Sequence, residues 1–91
     1  MLDIAIIDDD VEALKAIKKI LGNIKIVDFV EAYESFNDFF TAADSGNHYD
    51  VILLDIQFDE QENGIDYASK LFTIFPQLKI VFITGYVKEY V

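Results

Sequence analysis

The chain has 91 residues, of which 53% are hydrophobic and 14% aromatic, enough apolar bulk for one packed domain and too much for a disordered segment. Its 17 acidic residues face seven lysines and no arginine, a net charge of −10 that excludes a basic face for nucleic acid and suits a metal cation or a basic partner surface. The absence of cysteine excludes disulfides and thiolate metal sites, no apolar run nears the roughly 18 residues of a membrane span, and Met1-Leu2-Asp3 does not read as a secretory signal; the expected location is the cytoplasm.

Ile4-Ala5-Ile6-Ile7 is a short continuous apolar run, the signature of a strand buried on both faces of a parallel sheet. It stops at Asp8-Asp9-Asp10. Val11, Leu14, Ile17 and Leu21 then recur at helical spacing, with Lys15, Lys18 and Lys19 on the other face and Gly22 as a C-terminal stop. Ile24 to Val30 reads as a strand, and the charges of Lys25 and Asp28 within it place that strand near the sheet edge. Ser35 with Asp38 three residues on forms a capping-box start for a helix whose apolar stripe is Phe36, Phe39, Phe40 and Ala43. Gly46-Asn47 closes it.

Val51-Ile52-Leu53-Leu54 is the most apolar stretch, expected as a central strand, and it runs into Asp55. An acidic loop follows from Gln57 to Asn63. Gly64 opens a third helix with Ile65, Ala68, Leu71, Phe72 and Phe75 on one face, and Pro76 breaks it. Ile80-Val81-Phe82-Ile83 is a fourth buried strand ending at Thr84-Gly85.

The order β-α-β-α-β-α-β predicts an α/β layered domain with a parallel sheet and right-handed crossovers. In such sheets ligands bind beyond the carboxyl ends of the strands. Asp8, Asp9, Asp55 and Thr84 all fall at such ends. Carboxylates converging there repel unless a cation or protons neutralise them, and hard oxygen donors favour Mg²⁺. Asp8 or Asp9 is a candidate metal ligand. Asp55 is a candidate ligand and also a candidate nucleophile, since a carboxylate can form an aspartyl-phosphate. The Thr84 hydroxyl is placed to donate to a phosphoryl group.

Each feature has an ordinary structural account. Asp10 suffices as an N-cap, Thr84-Gly85 as a turn, Asp59, Glu60 and Glu62 as a solvated loop, His48 as an exposed turn residue, and Tyr86 and Tyr90 as packing residues. The strand-end features together are far more specific than any one of them.

Ile6-Ile7-Asp8-Asp9-Asp10, Leu53-Leu54-Asp55-Ile56-Gln57, Asn63-Gly64 and Phe82-Ile83-Thr84-Gly85-Tyr86 resemble the receiver domains of bacterial two-component response regulators, most closely the LytTR class. The resemblance covers essentially the whole chain. It implies a flavodoxin-like three-layer sandwich with strand order 2-1-3-4 and phosphorylation of Asp55 by a histidine kinase. It further implies Mg²⁺ bound by Asp8, Asp9, Asp55 and the backbone carbonyl of Gln57, with Thr84 as the switch hydroxyl. The implied protein is a phosphoacceptor and not an enzyme beyond self-phosphorylation and dephosphorylation of Asp55. It acts on transcription through an effector domain that follows the receiver, with no direct nucleic-acid or membrane contact from this segment.

The sequence departs from the family in three ways. Phe58-Asp59 stands where Met-Pro is common, and Gly64 lies nine positions beyond Asp55 where eight is usual. The third departure concerns length: residues 1–91 read as a C-terminally incomplete receiver, lacking a fifth strand with its lysine and a fifth helix. Lys88 does not stand in for that lysine. Strand 4 is then expected as an apolar open edge through which the chain self-associates. Two other readings remain at this point. A haloacid-dehalogenase-type phosphatase would use Asp8 as nucleophile, with Asp8-Asp9-Asp10-Val11 as its first motif, but Glu12 is unusual there and Asp55 is left without a role. A receiver-like interaction module would bind partners without phosphorylation.

Overall fold

The structure, a computed structural model, describes residues 1–56 and 64–83. The apolar runs form strands β1 (Leu2–Ile7), β2 (Val27–Tyr33), β3 (Val51–Asp55) and β4 (Lys79–Ile83), and the periodic segments form helices α1 (Val11–Leu21), α2 (Phe36–Asp44) and α3 (Gly64–Ile74). All strand pairs are parallel, in the order β2-β1-β3-β4. This is the α/β fold that the alternating pattern predicts.

Side chains alternate across a strand, and the two central strands are apolar on both faces. Ala5, Ile7, Ile52 and Leu54 bury against Phe36 and Phe39 of α2 and Leu71 of α3. Ile4 and Ile6 are also buried, on the opposite face, where α1 packs on β1 and β2. Helix α1 starts where Asp10 Oδ1 accepts the N–H groups of Glu12 and Ala13 at 3.0 and 3.3 Å. In α2 the Ser35 hydroxyl accepts the Asp38 N–H at 3.1 Å. Each cap satisfies donors that the first turn leaves unpaired. Gly46, at φ +101°, takes the left-handed backbone that turns the chain out of α2.

Four expectations need correction. The second strand begins at Val27 and not at Ile24, because Ile24 N–H bonds Leu21 O at 3.1 Å and Val27 N–H bonds Ile24 O at 3.1 Å, which turns residues 24–26 instead of extending them. Gly22 closes α1 as expected, in right-handed backbone at φ −62°, but Val11 at the other end of the stripe is exposed. Of the expected third-helix stripe, Ala68, Leu71 and, just past the end of α3, Phe75 meet the core together with Tyr67, whereas Ile65 and Phe72 do not. The Tyr67 ring stacks on Phe36, with centroids 3.5 Å apart, and this rotates Ile65 and Phe72 to the surface. Lastly, β4 is not buried: Val81 and Phe82 are exposed, since among the described residues β3 is its one strand partner.

The corrected α3 face sets a clear contrast. Leu71→Ala is expected to cost about 2–5 kcal/mol through the cavity it leaves. Phe72→Ala, at an exposed position, is expected to cost less than about 1 kcal/mol. Urea unfolding followed by circular dichroism checks both, and equal costs would contradict the assigned face.

Candidate functional site

The register of the sheet builds the site. Parallel pairing sets Ile7 beside Leu54 and Leu54 beside Phe82. The residues after β1 and at the end of β3, Asp8 and Asp55, therefore emerge side by side at the carboxyl edge. Asp9 follows directly. One carboxylate oxygen from each of Asp8, Asp9 and Asp55 lies within 4.8 Å of the others. Among the described residues this is the one group of three or more His, Cys, Asp or Glu side chains close enough to share an ion.

The local backbone is firmly held. Asp8 N–H donates to Tyr33 O at 3.1 Å, and Asp8 Oδ1 accepts the Asp10 N–H at 2.9 Å. Tyr33 is itself tied down: its hydroxyl bonds that of Tyr49, whose phenol is pushed above its usual range by burial and by this bond. Ile56 N–H donates to Ile83 O at 3.2 Å, so the β4 end is fastened beside Asp55.

Asp8 and Asp55 are only 6% and 8% exposed, while Asp9 is exposed. Burial raises the Asp8 carboxyl above the usual carboxylate range. The Asp10 N–H partly offsets this, and the neighbouring Asp55 carboxylate adds to it as a like charge and as a hydrogen-bond partner. Two nearly buried like charges beside a third form an arrangement that a cation would relieve. The donors are all hard carboxylate oxygens, and they fit Mg²⁺.

Of the residues singled out in the sequence, Asp8, Asp9 and Asp55 come together as expected. Asp10 serves as an N-cap and His48 is exposed, as their ordinary accounts have it. Gln57 and Thr84 lie outside the described residues, as do the acidic loop positions Asp59, Glu60 and Glu62 and the later residues Tyr86, Lys88 and Tyr90.

A parallel α/β sheet with an acidic cluster at its carboxyl edge is the arrangement of a signalling receiver. The model of the response regulator receiver domain matches residues 4–91, and the chain belongs to that family. No curated protein matches it. Solved structures with the same fold include RcsB from Salmonella enterica serovar Typhimurium, determined on promoter rprA with a phosphomimetic beryllium fluoride. It is 24% identical, with a TM-score of 0.80 over 92% of this chain and 43% of RcsB. MaeR bound to beryllium trifluoride is 23% identical, with a TM-score of 0.81 over 99% of this chain and 76% of that one. A two-component transcriptional regulator from Clostridium phytofermentans ISDg is 24% identical, with a TM-score of 0.69 over 100% of this chain and 73% of that one. The chain thus spans less than half the length of RcsB. Among the described residues no helix is long and apolar enough to cross a membrane.

The raised Asp8 carboxyl gives a pH test. The folded protein holds this proton more tightly than the unfolded chain does. The Asp8 contribution to stability is therefore highest below the ordinary carboxylate range and falls as pH rises toward the raised folded value. Asp8→Asn keeps the Oδ1 acceptor for Asp10 and removes the charge. Without divalent cations it is expected to abolish this part of the pH slope and to gain about 1 kcal/mol at pH 7. Melting temperatures of the two proteins from pH 3 to 8 check it, and parallel profiles would contradict the assignment.

Proposed function

We propose that this chain is the phosphoryl-accepting module of a two-component system, in which Asp55 takes a phosphoryl group from a histidine kinase. The observation that carries the reading is the convergence of the Asp8, Asp9 and Asp55 carboxylates at the ends of the two central strands. Family membership supports it, and so do the beryllium fluoride complexes of structural relatives.

In the proposed reaction a carboxylate oxygen of Asp55 attacks phosphorus. An O–P bond forms, the N–P bond of the phosphohistidine breaks, and the imidazole nitrogen keeps the electron pair and gains a proton. Asp8, Asp9, Asp55 and the Gln57 carbonyl would hold Mg²⁺, which when bound offsets charge on the phosphoryl oxygens. The Asp8 backbone N–H, bonded to Tyr33 O, and its Oδ1, bonded to the Asp10 N–H, keep the carboxylate aimed at that place. Thr84 would donate its hydroxyl to the phosphoryl group. The LytTR class, the 1–91 receiver extent, transcriptional output through an effector domain and a cytoplasmic setting belong to the same reading. They rest on the motifs around Asp8, Asp55 and Thr84. Self-association belongs to it as well, through β4, where Val81 and Phe82 are exposed and the one charge on the strand, Lys79, stands at its start.

Incubation with labelled acetyl phosphate and Mg²⁺ tests the central claim. Label is expected on the unmutated chain, lost in Asp55→Asn and with excess chelator, and slower but present in Asp8→Asn. Label lost in Asp8→Asn but kept in Asp55→Asn would point to phosphatase chemistry, and no label on any variant to a passive interaction module. For β4, light scattering is expected to show concentration-dependent dimers that Val81→Lys weakens at least tenfold. A clean monomer at millimolar concentration would sink that part.

A further inference from the structure

Among the described residues exposed carboxylates outnumber exposed lysines, and one short stretch gathers three of those lysines. Residues 18–26 read Lys-Lys-Ile-Leu-Gly-Asn-Ile-Lys-Ile, and all of them except Leu21 are exposed. The stretch comprises the last turn of α1 and the bend that leads into β2. It is compact and defined: Asn23 N–H bonds Ile20 O at 3.2 Å, Ile24 N–H bonds Leu21 O at 3.1 Å, and Leu2 N–H bonds Ile26 O at 2.7 Å.

Two observations set it apart. Ile20, Ile24 and Ile26 are 64%, 42% and 60% exposed, three large aliphatic side chains within seven positions that contribute little to the core. Their apolar character is what suggests a strand from Ile24 in the sequence, yet the chain turns there and leaves them on the surface. Contiguous exposed apolar groups mark interaction sites. The second observation is charge. Lys18, Lys19 and Lys25 are interspersed with the isoleucines along the chain, and none of them forms an ion pair among the described residues. Lys18 and Lys19 complement the α1 C-terminus. That role accounts for neither Lys25 nor the isoleucines.

We infer that residues 18–26 form a docking surface for an acidic amphipathic segment of another protein, with its apolar side on Ile20, Ile24 and Ile26 and its carboxylates on the three lysines. The whole-chain charge supports this choice of occupant. An acidic partner is repelled by a surface of net charge −10 everywhere except where lysines cluster, so the field itself selects this end. An anionic bilayer fits less well. It presents a broad plane, and Asp28, two positions beyond Ile26, and Asp3, next to the Leu2 whose N–H bonds Ile26 O, would oppose it. The docking surface is independent of the phosphoryl-transfer reading, because none of its residues belongs to the acidic cluster.

The test uses the whole chain and an 18-residue synthetic peptide with leucine along one helical face and glutamate along the other. Backbone amide shifts at low ionic strength are expected to move within residues 18–26, with binding weakened at least tenfold by Lys18→Glu with Lys25→Glu. Ile20→Ser with Ile26→Ser is expected to weaken it similarly, while Lys70→Glu leaves it unchanged. Circular dichroism confirms that the variants fold. Shifts centred on the Phe72 and Phe82 surface, equal affinity in the charge-reversed variant, or no binding at millimolar peptide would overturn the inference. So would stronger binding to phosphatidylserine vesicles than to the peptide. Loss of Asp55 phosphorylation with peptide binding intact would strike the phosphoryl-transfer reading alone.

Discussion

The parallel pairing of β1 with β3 is the interaction on which the rest depends. It sets Ile4 beside Val51 and Ile7 beside Leu54, which buries the core and brings Asp8 and Asp55 to the same level of the sheet. One register thus has two opposite energetic effects. Burial of the strands' aliphatic side chains stabilises, at about 25 cal/mol per Å² of apolar surface removed from water. Burial of the carboxylates at the strand ends destabilises, since like charges lose solvent together. The aliphatic contribution extends over the whole sheet and the carboxylate cost is confined to one edge, so the fold tolerates its own acidic cluster.

That tension was legible in the sequence because both halves have simple local signatures. Ile4–Ile7 and Val51–Leu54 are uninterrupted apolar runs too short for helices, and each ends at a charged residue. The caps at Asp10 and Ser35 were equally readable, because an N-cap depends on a side chain and the backbone two or three positions away. The errors fell where tertiary packing decides. Ile24 and Ile26 have strand character, but the bonds from Ile24 to Leu21 and from Val27 to Ile24 turn the chain first. Ala68 and Leu71 of the expected α3 stripe do meet the core, but the stripe could be completed by Ile65 and Phe72 or by Tyr67. Only the ring of Phe36, distant in sequence, selects the second. The exposure of β4 depends on what lies beside it, which no local pattern records. Of the candidate site, the identity of its acidic members could be read and their near-burial could not, because burial is a property of the assembled sheet edge.

Charge is distributed to match this layout. Exposed carboxylates crowd the carboxyl edge at Asp9, Asp10 and Glu12, next to the buried pair. The exposed lysines Lys18, Lys19 and Lys25 sit at the far end of α1 and in the bend beyond it. The helix thereby separates two electrostatic environments along its eleven residues, with acidic side chains near its positive end and basic ones near its negative end, the sense its dipole favours.

Asp8 and Asp55 stand 47 positions apart in the chain, and this separation governs when the cluster can exist. Helical turns form in well under a microsecond, whereas contacts between distant strands must first meet the entropy of closing the loop between them. The acidic cluster is therefore absent from any intermediate that has helices but not the β1–β3 ladder. An ion that needs both aspartates recognises only the finished ladder, so its binding free energy adds to the free energy of folding at that step. An ion held by both aspartates would in this sense act as a latch on the central strands, closing only where their pairing is complete.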